Sequence, residues 1–427
     1  MRLTLLTYGS RGDVQPYVAL GLGLRRAGHE VRLAAPAMFE SFVAGYGLEF
    51  APLAGDPAQL VQQAVERAGP GATLLGLARV VLEHALPIAA EVMRGCMSAC
   101  QGSDAIIHSL LLTTAGYEIA RLLDVPDFSA LIFPAFAPTG AFPNQGMPAL
   151  PLGPVYNRLT HRFFSALYWH GGRLGYYWVR RQHPELPRLT TWPFDPRNER
   201  VTPILYGFSP QVIPRPPDWG AHVHVTGYWF LDASPGWRPP PALVEFLASG
   251  PPPVFVGFGS TISRDVGNLA EMALAALADT RQRGLLLSGW GGLAPADLPA
   301  NVFPIEEVPF AWLFPRMRAV VHHGGVGTTA DALRAGVPSI IVPFTADQPY
   351  WGRRIQQLGV GPAPIDHRQL TAGRLAEAIR IATADEALRR RAADLGARLR
   401  AEDGVTRAVE IVERAVSTPA GSPRRAG

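Results

Sequence analysis

Two consecutive units of strand, loop and helix in residues 319–361 restrict this chain more than any other stretch. A buried strand, Met317–Val321, runs into His322 and His323; Gly324, Gly325, Gly327, Thr328 and Thr329 follow, and a helix continues to Gly336. Glycines at such a turn let backbone approach a phosphate closely. The helix N-terminus adds N–H groups and the positive end of its dipole. A second strand, Ser339–Pro343, delivers Asp347 and Gln348 into the next loop. Each part alone is commonplace: a glycine turn connects a strand to a helix, a histidine packs, an Asp-Gln pair sits in water. At these spacings they form a phosphate cradle beside a carboxylate and an amide, which is what holding a nucleotide-activated sugar requires.

The same alternation runs through the rest of the chain, and 427 residues make two domains the natural division. The first half opens with strand Arg2–Thr7, loop Gly9–Val14 and a helix from Pro16 to Gly28. Strand Glu30–Ala35, a helix near Met38–Gly45 and strand Leu48–Pro52 come next, and further units lie at Asp104–His108, Ala115–Leu123 and Phe128–Phe133. The second half restarts at strand Val254–Phe258 and loop Gly259–Ser263, then helix Asn268–Arg281 and strands Leu285–Ser288 and Val302–Glu306. Short apolar runs between helical stretches predict parallel, doubly wound sheets, an α/β class with residues 1–230 and 242–417 as the two domains. The proline-rich stretch 231–241 is read as a linker, and 418–427, rich in Gly, Ser, Pro and Arg, as a disordered tail.

Composition excludes more than it identifies. All 39 basic residues are arginine, and they are scattered; with a net charge of +4, nucleic acid is not an expected partner. Cys96 and Cys100 lie four apart on one helix face, poor geometry for a disulfide and too few ligands for zinc, so they are expected as free thiols in a reducing cytoplasm. The start, MRLTLLTYGS, is too short and strand-like for a signal peptide. The charge-free run 128–157 has six prolines and does not make a spanning helix. His222 and His224 lack a third ligand and are read as structural; no metal site is expected.

Ligands of such sheets sit at the carboxyl ends of the strands, which directs attention to GSRGDVQP, Gly9–Pro16. Asp13, ahead of a helix starting near Pro16, fits an N-cap and also a general base. Together with the 319–361 segment, this loop resembles the family 1 glycosyltransferases, in the branch of sterol 3-β-glucosyltransferases and bacterial antibiotic glycosyltransferases. The resemblance spans nearly the whole chain and is weakest between residues 56 and 221. It implies the GT-B fold, two Rossmann-like domains facing across a cleft, with the last helix packing back toward the N-terminal domain. It also implies Asp13 as the base that deprotonates an acceptor hydroxyl in an inverting, metal-independent displacement. His322, Gly324, Gly325, Gly327 and Thr328, with Gly259, Ser260 and Thr261, would hold the diphosphate, joined by Ser10 and Arg11 from across the cleft. Trp290 would stack on the base, the Val308 backbone would bond it, and Asp347 and Gln348 would hold the sugar. The family's ribose-binding glutamate falls at Ala330, which leaves UDP against dTDP open; DQPYW favours UDP-glucose. The nucleotide sugar is a co-substrate, and no other cofactor is implied.

For the acceptor, the resemblance points to 128–157, with Phe133, Phe136 and Phe142 as candidate contacts, and to the aromatic run Phe163–Trp178. Helical spacing predicts an amphipathic helix packed on the sheet for that run. Its aromatic surface with Arg158, Arg162, Arg180 and Arg181 at the edges also suits a lipophilic pocket wall, or a helix resting on an anionic membrane. An apolar, ring-bearing acceptor is expected, on a cytoplasmic monomer or weak dimer that touches the inner face of the membrane at most peripherally. A 2-epimerase of nucleotide sugars and a non-catalytic helper on the same fold are the alternatives. A dinucleotide oxidoreductase is more distant, because GFGSTI lacks the full GxGxxG spacing.

Overall fold

Leu3, Leu5 and Leu6 have no exposed surface, and a strand apolar on both faces belongs in the middle of a parallel sheet. That strand is β1 (Arg2–Leu6). The computed structural model describes residues 1–56, 86–198, 200–258, 266–287, 298–344 and 347–417. The chain forms two units, Met1–Phe230 with the segment from Asp403 onward, and Leu231–Glu402.

In the first unit β1 is joined by β2 (Glu30–Pro36), β3 (Glu49–Leu53), β4 (Ala105–His108), β5 (Asp127–Leu131), β6 (Ile204–Tyr206) and β7 (Val223–Val225). Their order is β3-β2-β1-β4-β5-β6-β7, and every pairing is parallel. The helices are α1 (Arg11–Arg26), α2 (Glu40–Ala44), α3 (Leu86–Ala99), α4 (Thr113–Leu123) and α5 (Gly153–Gln182). Cys96 and Cys100 are buried and free. One sequence expectation is corrected here: α1 begins at Arg11, with Ser10 as N-cap, five residues before Pro16. Pro16 lies in the second turn, where it forfeits one backbone bond to Gly12. The Ser10–Asp13 interactions described below secure the helix start.

The second unit repeats the plan with β8 (Val254–Gly257), β9 (Gly284–Leu287), β10 (Val302–Ile305), β11 (Ala319–His322) and β12 (Ser339–Ile341), in the order β10-β9-β8-β11-β12, all parallel. Its helices are α6 (Pro241–Ala248), α7 (Val266–Asp279), α8 (Phe310–Leu313), α9 (Val326–Ala335), α10 (Gln348–Gln357), α11 (Ala372–Ala384) and α12 (Glu386–Arg400). β11 starts later than the apolar run alone predicts, because the Met317 N–H closes a turn onto Phe314. Two apolar layers sandwich the sheet. Val254, Val256, Val321 and Ile340 face Leu277, Leu375 and Ile379 on one side, and Phe255, Leu285 and Val320 face Leu313 and Phe314 on the other. Residues 231–240 carry no helix or strand, and 418–427 lie outside the described residues.

At Asp403 the chain re-enters the first unit as α13 (Gly404–Ser417). Its buried stripe, Val405, Ala408, Val409 and Val412, packs on α1. The seat admits no larger residue at two points: a Cβ on Gly404 would lie 2.5 Å from the Tyr228 carbonyl oxygen, and one on Gly23 would lie 2.2 Å from Val405 Cγ1. Near the other end of the helix, His29 Nε2 lies 3.2 Å from Glu413 Oε1.

Candidate active site

Both sheets reverse their winding beside their first strand, between β1 and β4 and between β8 and β11. Loops on either side of such a reversal diverge and leave a crevice at the carboxyl ends of the strands. Asp13 follows β1, and His322 ends β11.

Asp13 occupies the first turn of α1. Its Oδ2 accepts the Ser10 backbone N–H at 2.8 Å and the Ser10 hydroxyl at 2.9 Å. The backbone bond is one half of a capping box, and the spacing Ser10-x-x-Asp13 is its sequence signal. Gly9 makes room for it: φ is +143°, and a Cβ there would lie 2.4 Å from Asp13 Oδ2. Thr7 Oγ1 donates to the Asp13 carbonyl at 2.8 Å, closing the turn from the strand side. Burial raises the Asp13 pKa above the usual carboxylate range, against the two Ser10 bonds that lower it. The result is a carboxylate fixed in place with increased appetite for a proton. One turn on, the Tyr17 hydroxyl donates to the Ala130 carbonyl; burial and then Asp13 push its pKa well up, so it stays neutral. The Arg11 guanidinium lies over the Phe42 ring at 4.6 Å.

In the second unit, His322 has no exposed surface. The Gly324 N–H donates to its Nδ1 at 3.2 Å. Burial and then His323 push its pKa well below the ordinary value, so the ring is neutral; burial alone lowers His323 to about 4. With Nδ1 accepting, the hydrogen is on Nε2, which has no hydrogen-bond partner among the described residues. A buried N–H donor without a partner among them, at the strand end that leads into the α9 N-terminus, fits an anionic oxygen. Gly324 has φ +93°, and a Cβ would lie 2.7 Å from Ile341 Cγ2 and 3.2 Å from the Gln348 carbonyl oxygen. Gly325 is the N-cap of α9, and the N–H groups of Val326, Gly327 and Thr328 stand in its first turn, ahead of the first intrahelical bond from Thr329 to Gly325.

After β12, Asp347 is the N-cap of α10, and its Oδ2 accepts the indole N–H of the fully buried Trp351 at 2.9 Å. Gln348 Oε1 accepts the Phe344 N–H at 2.8 Å. Both side chains are therefore oriented by local bonds. A Trp four residues after Asp347 on the same helix face was the available signal. His322, Gly324 and Gln348 come together; Val308 lies buried after β10, at the far edge of the sheet. Gly259, Ser260, Thr261 and Trp290 lie outside the described residues. Of the acceptor candidates, Phe136 is 2% exposed and packed among Phe164, Tyr168, Trp192 and Phe194. Phe142 meets His161 and Trp219 edge-on, and Phe133 is partly buried just past β5.

The chain is similar to known proteins in both halves. Residues 3–117 match the glycosyltransferase family 28 N-terminal domain, and residues 292–416 match the C-terminal domain of erythromycin biosynthesis protein CIII-like proteins. The chain is 40% identical to O-mycaminosyltylonolide 6-deoxyallosyltransferase of Streptomyces fradiae, covering 98% of each. It is 35% identical to sterol 3-beta-glucosyltransferase of Cryptococcus neoformans var. neoformans serotype D over 97% of its own length, but spans only 27% of that protein. The crystal structure of CalG4, the calicheamicin glycosyltransferase, superimposes with a TM-score of 0.71 at 20% identity, over 98% of this chain and 99% of that one.

Proposed function

The chain belongs to the family 1 glycosyltransferases of GT-B fold, and we propose that it moves a hexose from a nucleoside diphosphate to a hydroxyl of an apolar acceptor, with inversion and without a metal ion. One observation carries this reading. Strand order sets the candidate contacts out in the order of a nucleotide sugar's own parts: Val308 after β10 for the base, His322 and the α9 N-terminus after β11 for the diphosphate, Asp347 and Gln348 after β12 for the sugar. From β10 to β12 the sheet is about 19 Å wide at the usual strand spacing.

The chemistry is one displacement. The acceptor oxygen forms a bond to the anomeric carbon, the bond from that carbon to the phosphate oxygen breaks, and its electron pair leaves with the diphosphate. Asp13, with its raised proton affinity, takes the hydroxyl proton. The Nε2–H of His322 and the first-turn N–H groups of α9 stabilise the departing charge, and being fixed before reaction they cost no reorganisation. Neutral donors of this kind supply the positive potential that a cation would otherwise bring.

UDP-glucose is the donor we favour: glucose because the sterol 3-beta-glucosyltransferase relative carries it in its name, and UDP because DQPYW resembles the sterol-type sequences. A 6-deoxyhexose donor is the second reading, because the relative matched along its full length is a 6-deoxyallosyltransferase. A macrolide-like or sterol-like acceptor fits both relatives. The test is calorimetric titration of UDP, dTDP, UDP-glucose and dTDP-glucose without metal. Tighter binding of one nucleotide with its sugar than without supports the reading. No binding of any of the four would leave the non-catalytic helper as the better account.

A further inference from the structure

Helix α5 turns its apolar side outward. Thr160, His161, Trp169 and Val179 are its buried residues, whereas Leu159, Phe163, Leu167, Leu174, Tyr177 and Trp178 are each 54–68% exposed. At 100° per residue these six fall within an arc of about 100°. Nine of the fifteen exposed large hydrophobics among the described residues lie between Leu150 and Trp178. A contiguous apolar face of this size marks an interaction site.

The charges on the helix select the partner. Its thirty residues include five arginines and no Asp or Glu. The guanidinium of Arg173 lies over Trp169 at 5.1 Å and that of Arg181 over Trp178 at 5.4 Å, so the arginine stems run along aromatic faces. Acidic groups packed nearby are already paired, Asp218 with Arg158 at 3.0 Å and Glu185 with Arg94 at 3.1 Å. A second copy laid on this face would set arginine against arginine. An anionic lipid surface matches both the apolar arc and the positive rim. No helix among the described residues is long and apolar enough to cross a membrane, so α5 would lie in the interface.

We propose that α5 is a membrane-surface anchor that binds the protein peripherally to anionic bilayers. The inference is independent of the donor and acceptor chemistry above. The experiment is flotation of the whole chain with vesicles of phosphatidylcholine alone and of phosphatidylcholine with about a third phosphatidylglycerol, at low salt and at about 0.5 M salt. Flotation with the anionic vesicles only, weakened by salt, is expected. The double variant Leu167→Glu/Leu174→Glu should bind at least about tenfold more weakly while unfolding at the same temperature, because both sites are exposed. Equal binding to neutral vesicles, undiminished binding by the double variant, or no vesicle binding would each overturn the proposal. So would a stable dimer that the double variant splits, which would assign the face to a second copy.

Discussion

Removing the Ser10 hydroxyl should make Asp13 a stronger base and raise the pH at which it works. In the native protein that hydroxyl donates to Asp13 Oδ2 at 2.9 Å and favours the ionised carboxylate. Ser10→Ala leaves the Ser10 backbone N–H bond, 2.8 Å to the same oxygen, in place. A hydrogen bond to a charged acceptor is worth about 1.5–3 kcal/mol, and for this partly exposed one the lower end applies. Losing about 1.4 kcal/mol from the ionised form alone is roughly a tenfold gain in proton affinity. The sign is fixed: Asp13 already titrates above its ordinary range because of burial, and the variant should titrate higher still. Carbon-detected NMR of the Asp13 carboxyl across pH reads this directly and needs no acceptor. Once an acceptor is known, the acid limb of kcat/KM should move the same way. An Asp13 titration that stays put or moves to lower pH in Ser10→Ala would refute the reasoning.

Asp13→Asn should lower kcat about 10²–10⁴-fold with nucleotide binding unchanged. A group whose pKa rises on folding costs stability above that pKa, so the neutral amide, which still accepts from Ser10, should leave Tm equal or higher; a clear drop in Tm contradicts the assigned environment. Asp347→Ala strands the buried Trp351 indole N–H and should cost about 1–3 kcal/mol in denaturant unfolding, whereas Asp347→Asn keeps an acceptor and should weaken the sugar nucleotide more than the bare nucleotide in calorimetry. Gly404→Val places a side chain against the Gly227–Tyr228 backbone, which cannot yield as a side chain can; limited proteolysis should then cut near Asp403, and an uncut variant would show that the seat tolerates bulk.

The alternation of apolar runs and helices places most strands of both sheets within a residue or two, because fully buried strands of a parallel sheet have little choice of sequence; β6, only three residues long, is not among them. The start of α1 is misplaced by sequence because Pro16 resembles a first helical residue, and its tolerance depends on how Gly9, Ser10 and Asp13 pack. The roles of Asp347 and Gln348 as bonded, oriented groups depend on Trp351 and Phe344 and are visible only in three dimensions. The amphipathic character of α5 was legible, but not its direction: its inner face is secured by Thr160, His161 and Trp169, which leaves all three of its leucines outside. In α13 the stripe Val405, Ala408, Val409, Val412 announces a packed helix without saying on what.

The destination of α13 has a consequence for how the protein is made. The strip of α1 around Gly23 is translated early, and the helix that covers it leaves the ribosome only after the whole of the second unit. The N-terminal half therefore waits, with an apolar seam uncovered, while that unit is synthesised. A nonsense change between the second unit and α13 leaves the second sheet's sequence complete yet denies the first unit its closing piece. Synthesis must thus pass through one whole unit before the half that carries Asp13 can be finished.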